Sequence, residues 1–159
     1  MPDNFKPAIG SGDAGFTSLF GGKKVHKTDL HVAAGALIDD LNSLLGLVRA
    51  GAAGKDKAEL AAVQRQLICA AGLIAGAGTG GELQRHIKTL SALTARRAKA
   101  LPPLKEFIIP GKNRKEAFVH LARSRARLCE LLAWRLKMRL PAVYLNRLSD
   151  YLFLLARTK

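Results

Sequence analysis

The chain has 159 residues, of which 48% are hydrophobic and 24% are charged. This balance and length are typical of one globular domain with a buried core, and they exclude a disordered chain. The 26 Lys and Arg outnumber the 12 Asp and Glu to give a formal charge of +14, which favours a partner that carries phosphate or another anion.

Residues 9–28 are rich in Gly, Ser, Thr and Lys and have no helical periodicity. Gly lets backbone N–H groups approach a phosphate, hydroxyls donate hydrogen bonds, and Lys neutralises charge. The segment matches neither a Walker loop nor a dinucleotide fingerprint. We predict that residues 1–28 form an irregular nucleotide-binding loop, although a flexible N-terminal arm would have the same composition.

Over residues 29–159 the pattern is helical apart from a short extended connection at Phe107 to Gly111, and no segment of the chain is a convincing strand. Five helices with short connections predict an all-α fold, an up-and-down five-helix bundle in a single domain. The first helix is expected to begin at Thr28 and to end at Gly51. The second should begin at a capping box of Asp56 and Glu59 and end at about Ala75, and the third should run from Glu82 to about Ala100. Asn113 and Glu116 should cap the fourth, and Pro141 should lie in the first turn of the fifth.

Two cysteines and two histidines in these helices have no spacing typical of metal ligands. Cys69 and Cys129 are expected to be reduced core thiols of a cytoplasmic protein, and His86 and His120 are expected to be core or surface histidines rather than metal ligands. The first residues lack an apolar signal segment, and the run from Leu67 to Gly78 is too short and Gly-rich to span a membrane.

The fourth helix places a row of polar side chains at steps of three or four residues. The row contains His120, Arg123, Arg127, Glu130 and Trp134. A solvated charged stripe is the common outcome of such a pattern, and it remains an alternative to a binding surface.

The fifth helix combines an apolar stripe with a polar edge. The stripe consists of Leu145, Leu148, Leu152 and Leu155. Beside it lie an amide, a guanidinium, a hydroxyl and a carboxylate within five residues, which indicates a helix that lines a polar site: Asn146, Arg147, Ser149 and Asp150.

Four blocks of the chain, in order, carry a resemblance to a known family. They are Gly12 to Leu19 with Lys27, Ile38 to Ser43, Phe107 to Gly111 leading to His120 to Arg123, and Tyr144 to Asp150. With these blocks the chain resembles the PduO-type ATP:cob(I)alamin adenosyltransferases. The resemblance implies a homotrimer of five-helix bundles, with sites between subunits that transfer the adenosyl group of ATP to reduced cobalamin and release triphosphate.

The resemblance also implies roles for individual residues. Arg127, Phe107 and Lys27 would be catalytic, and Phe107 would lie against the lower face of cobalamin. Magnesium would accompany ATP, and no side chain is expected to be its ligand. A pairing of Asp39 with Arg123, together with Asp150, would join subunits. ATP would be bound by Ser11, Gly12, Asp13, Gly15, Thr17, Ser18, Lys27, Arg127, Glu130, Asn146 and Arg147.

Several positions depart from the family pattern, and most of the departures remove charge near the expected ATP site. They are Gly10, His31, Ala33, Gly35, Lys112, Leu128 and Leu131. Two alternatives therefore stay open. One is a catalytically weak relative that binds ATP or cobalamin as a carrier, regulator or chaperone, and the other is a basic helical module that binds nucleic acid. A cobalamin reductase or a cobalamin-dependent enzyme is a possible partner, and no membrane association is expected.

Overall fold

Five helices and one short hairpin make up the protein, in a computed structural model that describes residues 9–158. Residues 1–8 and 159, at the ends of the two predicted regions, lie outside the described residues. The elements in chain order are β1 (Phe16–Ser18), β2 (Lys24–His26), α1 (Leu30–Ala50), α2 (Gly54–Ile74), α3 (Gly80–Lys99), α4 (Arg114–Arg135) and α5 (Arg139–Arg157).

Helix α5 lies at the centre of the bundle, because it contacts α4, α3 and α2, while α1 packs on α4 and α2. The predicted apolar stripe of α5 is buried along its whole length, from Leu145 to Leu155. Tyr144 is also buried, and its hydroxyl donates to the Val63 carbonyl at 3.3 Å. The predicted all-α five-helix bundle is confirmed.

Helix α1 begins one residue after an acidic cap. Asp29 accepts a hydrogen bond from the His31 backbone N–H at 2.8 Å, and this bond lowers the pKa of the Asp29 carboxyl. By length and composition α1 could cross a membrane. In the bundle, however, its apolar face packs on α2 and α4 through Ala34, Ile38, Leu41, Leu45 and Val48.

The segment expected to be wholly irregular contains a two-stranded antiparallel sheet, which corrects the prediction of no strand. Thr17 pairs with Val25, and the bulky side chain of Val25 is the buried one. Each strand has three residues, too short for a periodic signal in the sequence.

The capping box predicted for α2 is wrong. Helix α2 begins at Gly54 after Ala53, which makes no side-chain cap. Asp56 and Glu59 instead bind Arg97 of α3, so they join two helices rather than capping one. For the cap predicted at the start of α4, one of the two hydrogen bonds is confirmed: Asn113 Oδ1 accepts from the Glu116 backbone N–H at 2.9 Å.

Candidate active site

A chain of polar contacts joins α4 to α5. Glu130 of α4 is buried, with 7% of its surface exposed, and its carboxylate accepts from Arg127 Nη1 at 2.6 Å. Asn146 Nδ2 of α5 lies 3.4 and 3.5 Å from the two Glu130 oxygens. A buried carboxylate is costly unless it is paired, so this arrangement fixes the positions of the guanidinium and the amide.

The same chain of contacts continues outward along α5. Arg147 Nη1 donates to Asn146 Oδ1 at 3.0 Å and lies 3.4 Å from Asp150 Oδ2. We call Arg127, Glu130, Asn146, Arg147 and Asp150 the α4–α5 cluster. The two arginine side chains are 47% and 43% exposed. Most of their N–H donors therefore remain open to an anionic ligand.

A second polar group lies toward the N-terminal end of α4. His120 is buried, and burial lowers the pKa of its imidazole, with Arg123 acting in the same direction and Glu116 against it. His120 Nδ1 accepts from Arg123 Nε at 3.4 Å. This contact favours the tautomer with the proton on Nε2. Nε2 lies 3.1 Å from Glu116 Oε1, although the two groups are not oriented for a hydrogen bond.

Glu116 connects this group to the connecting loop, which we define as residues 100–113. Its Oε2 accepts from the backbone N–H of Gly111 at 2.8 Å and of Lys112 at 3.1 Å. Gly111 has a φ of 121°, in the region that favours glycine. The carboxylate therefore holds the end of the loop that carries Phe107 and Pro110.

Phe107 is fully exposed and Ile109 is 87% exposed. A bare phenyl ring on a tethered loop stabilises nothing inside the chain, so its burial would have to come from a ligand or a second subunit. Behind the loop, a cavity of about 430 Å³ is lined by residues of the loop, α4 and α5, including Ile108, Glu116 and Leu155.

The Gly-rich N-terminal segment and Lys27 are brought together. The backbone N–H of Lys27 donates to the Gly15 carbonyl at 2.8 Å. A Cβ on Gly12 would lie 2.7 Å from Lys27 Nζ, so the ammonium lies directly beside the Gly12 backbone. Gly15 has a φ of 80° and closes this turn. Ser11 and Asp13 are exposed beside it, and Thr17 and Ser18 lie in β1.

Two sets of predicted partners do not meet within the chain. Asp39 is exposed on α1, while its helical neighbour Asp40 pairs with Arg125 at 2.6 Å. Arg123 lies on the other side of α4, against His120. Likewise, over residues 9–158, no hydrogen bond or ion pair joins the N-terminal segment to the α4–α5 cluster.

The sequence analysis missed the contacts that Glu116 makes with the connecting loop. The signal for Glu116 was its position three residues after Asn113, which was interpreted as a capping box. The Glu116 carboxylate instead accepts hydrogen bonds from the backbone of the connecting loop. At two positions that depart from the family pattern, Leu128 and Leu131, the side chains flank Arg127 and are about half exposed (49% and 53%).

Comparison with known proteins gives one consistent result. The cobalamin adenosyltransferase family model matches residues 8–159. The corrinoid adenosyltransferase of Citrobacter freundii is 37% identical over 92% of this chain and 90% of its own length. The cobalamin adenosyltransferase of Cupriavidus metallidurans is 36% identical over 96% of this chain and 86% of its own. The chain matches the PduO protein of Salmonella typhimurium at 38% identity but spans only 48% of it.

Solved structures agree with the sequence relatives. A variant of the PduO-type ATP:corrinoid adenosyltransferase of Lactobacillus reuteri, complexed with cobalamin and ATP, has a TM-score of 0.81 at 26% identity, covering 96% of this chain and 89% of that one. A second variant of that enzyme, complexed with ATP, has a TM-score of 0.82 at 25% identity, covering 95% and 92%. With a family match from residue 8 to 159, this protein belongs to the cobalamin adenosyltransferase family, and the PduO-type family and adenosyltransferase function predicted from its sequence are confirmed.

Proposed function

We propose that this chain transfers the adenosyl group of ATP to cob(I)alamin and releases triphosphate, in sites formed between the subunits of a cytoplasmic homotrimer. Relatives and structural neighbours named as corrinoid adenosyltransferases, two of the solved structures with cobalamin and ATP bound, support the reaction. The two free cysteines agree with a reducing compartment.

The observation that carries the proposal is the orientation of Arg127 by a buried carboxylate. Glu130 holds one nitrogen of the guanidinium at 2.6 Å and leaves the other side open to solvent. Arg147, oriented through Asn146, supplies a second guanidinium at the same surface. Two fixed guanidinium groups suit a ligand with several phosphates better than mobile surface charges do, because little side-chain entropy is lost on binding.

In the proposed reaction, the cobalt of cob(I)alamin supplies an electron pair to the ribose carbon of ATP. A cobalt–carbon bond forms, the carbon–oxygen bond to the triphosphate breaks, and the triphosphate leaves with that bond's electron pair. Because cobalt is the nucleophile, the protein needs no Ser or Cys for the attack. It has to align the reactants and stabilise the charge that grows on the leaving group, which is the role we assign to Arg127 and Lys27.

The absence of certain contacts within one chain supports a site that is shared between subunits. Lys27 and Gly12 lie together without a contact to the α4–α5 cluster in the part of the chain that the structure describes. Asp39 is exposed and Arg123 contacts His120, and the two form no ion pair with each other within the chain. Four apolar side chains on the outer face of α4 are each about half exposed, and a second subunit would cover them: Leu121, Leu128, Leu131 and Trp134.

The proposal for Phe107 follows from its exposure. A phenyl ring against the lower face of the corrin would keep water and axial ligands from the cobalt. Cobalt(II) without its lower ligand is easier to reduce to the nucleophilic state. The Glu116 contacts with Gly111 and Lys112 would hold the loop that presents the ring.

Magnesium would enter with the triphosphate. The carboxylates of the α4–α5 cluster are engaged with Arg127, Asn146 and Arg147, so this part of the described chain offers no ready ligand for the ion. We therefore assign it no step.

The direct test is one cuvette that contains the protein, ATP, magnesium and chemically reduced cobalamin, followed by absorbance for the cobalt–carbon product. We expect product and triphosphate in equal amounts. ATP or cobalamin binding without product would favour the carrier, regulator or chaperone, which the loss of charge at Leu128 and Leu131 supports. A salt-sensitive shift of mixed-sequence DNA without ATP binding would favour the nucleic-acid module.

A further inference from the structure

Three potential metal ligands meet where α2 faces the start of α3. Cys69 lies on α2, and Glu82 and His86 lie one turn apart on α3. The Cys69 sulfur, a Glu82 oxygen and a His86 nitrogen all lie within 4.8 Å of one another. His86 Nε2 is 3.4 Å from Glu82 Oε1. The sequence analysis of Cys69 and His86 considered only the spacing of ligands along one helix. It did not anticipate that α2 and α3 bring the two side chains together.

The chemistry of this triplet is selective. A thiolate, an imidazole and a carboxylate are the three ligand types that Zn²⁺ takes in proteins, whereas magnesium and calcium prefer oxygen alone. A thiolate and a carboxylate together would also neutralise the two positive charges of the ion. Cys69 and His86 are half-buried and Glu82 is 59% exposed, so the site would open to solvent on one side.

We propose that Cys69, Glu82 and His86 form a Zn²⁺ site between α2 and α3, with water in the fourth position. This site is separate from the residues assigned to ATP and cobalamin, and it does not depend on the proposed reaction.

The fit requires a small contraction. Bond lengths of about 2.3 Å to sulfur, about 2.0–2.1 Å to nitrogen and about 2.0–2.2 Å to oxygen place ligand atoms of a tetrahedral site roughly 3.5 Å apart. The ligand atoms now lie up to 4.8 Å apart, so the most widely separated pair has to approach by about an ångström. Rotation of the exposed Glu82 side chain and of the Cys69 thiol can bring the atoms together.

Binding would also displace a proton. Burial raises the pKa of the Cys69 thiol, and Glu82 raises it further, whereas Arg85 lowers it. A thiol has to lose its proton to bind a metal ion as a thiolate. Zn²⁺ would release that proton to solvent and leave the thiolate as the ligand.

The consequence would be a cross-link at a weak interface. Helix α2 contacts α3 much less extensively than α4 contacts α5. A groove between the same two helices, lined by residues such as Ala62, Gln66 and Leu93, leaves them apart further along. A metal bound across the gap would stabilise the folded chain by mass action, because the three ligands are dispersed in the unfolded state.

Cobalt(II), a spectroscopic substitute for Zn²⁺, tests the site in reduced, tag-free, full-length protein without nucleotide. We expect a thiolate-to-cobalt charge-transfer band that Zn²⁺ abolishes by displacement. Zn²⁺ at 100 times its dissociation constant should raise the thermal midpoint by roughly 5–10 °C. Cys69→Ser should remove the band. His86→Gln should weaken cobalt binding at least about tenfold, since even the loss of a residue behind a ligand costs that much.

His31→Gln is the matched control, because His31 is also half-buried on a helix but lies outside the triplet. It should bind cobalt as wild type does. The proposal is overturned if wild type shows no band, if the band persists in Cys69→Ser, or if Zn²⁺ raises the thermal midpoint equally in wild type and in both ligand variants.

Discussion

At the scale of single residues, activity should depend most on Arg127. Its guanidinium is fixed by Glu130 and open to a phosphate on its other side. Because charge grows on the leaving triphosphate, this contact should strengthen toward the transition state. Arg127→Ala should therefore cost roughly 2.7–4 kcal/mol in the activation barrier, or two to three powers of ten in rate. Arg127→Lys should recover only part of this loss, because an ammonium cannot make two parallel hydrogen bonds.

Arg125 provides the control for this measurement. It lies on the same helix and pairs with Asp40 at 2.6 Å, on the side away from the α4–α5 cluster. The pair is partly exposed, so its loss should cost at most about 1 kcal/mol of stability and leave turnover unchanged. Equal, mild losses of rate in Arg125→Ala and Arg127→Ala would mean that Arg127 is an ordinary surface charge.

Phe107 allows function and stability to be separated. Its ring is fully exposed, so Phe107→Ala should change the free energy of unfolding by no more than about 0.5 kcal/mol. In the presence of ATP, wild type should convert bound cob(II)alamin to a four-coordinate form that is visible by absorbance. The variant should lose this form while keeping its affinity for ATP. Leu104→Ala, on the same loop, should behave as wild type, and a wild type without the four-coordinate form would contradict the assignment.

At the scale of the elements, an ion-pair group between α2 and α3 should stabilise the fold strongly. Arg97 binds both Asp56 and Glu59, and the Tyr151 hydroxyl donates to Glu59 at 3.3 Å. The side chains of Arg97 and Glu59 are each only 11% exposed. Although burial opposes it, pairing with Asp56 and Glu59 raises the pKa of Arg97, which therefore stays charged. Arg97→Ala would leave Glu59 and Asp56 with only the more exposed Arg96 and Lys115 as cationic partners, at a cost of up to about 3 kcal/mol in unfolding by urea.

The neighbouring arginine is a matched comparison. Arg96 also contacts Glu59, at 3.0 Å, but its side chain is 60% exposed. Arg96→Ala should cost no more than about 1 kcal/mol. Urea midpoints that fall equally for the two variants would show that burial does not set the strength of this group.

The helices could be predicted from the sequence because their signal is local and repeated. Leu145 to Leu155 recur at the helical period, and the stripe is buried as expected. The short hairpin could not be, because strands of three residues hold one alternation at most. Asp56 and Glu59 had the spacing of a cap, yet a long-range partner, Arg97, bound them more favourably than the helix end did.

In the candidate site, too, contacts between periodic helix faces could be predicted from the sequence and contacts of irregular segments could not. Arg127, Glu130 and Asn146 lie together as the periodic faces of α4 and α5 predict, because two packed helices bring facing edges into contact. The hold of Glu116 on the connecting loop was not predictable, since it depends on where an irregular segment turns back. The meeting of Cys69 with His86 depends likewise on how α2 and α3 are arranged in space.

At the scale of the whole molecule, the trimer remains a prediction, and Arg123 is its test. Arg123 and Asp39 do not meet within a chain, and a pairing between subunits would leave each one stranded if the other were removed. Arg123→Ala should weaken the trimer by up to about 3 kcal/mol per interface, detected as dissociation on dilution. Arg125→Ala should sediment as wild type does. A wild type that sediments as a monomer at micromolar concentration would contradict the prediction.

The central claim is that one subunit supplies Lys27 and its neighbour supplies Arg127 to the same site. The most direct measurement is the activity of mixed trimers that are co-expressed from Lys27→Ala and Arg127→Ala chains, each inactive on its own. Random assembly should leave about one quarter of the sites with both intact side chains, because each site takes one contribution from each of two chains. Recovery of about a quarter of wild-type turnover is the predicted result. Mixed trimers as inactive as their parents, beside an active wild type, would contradict the account.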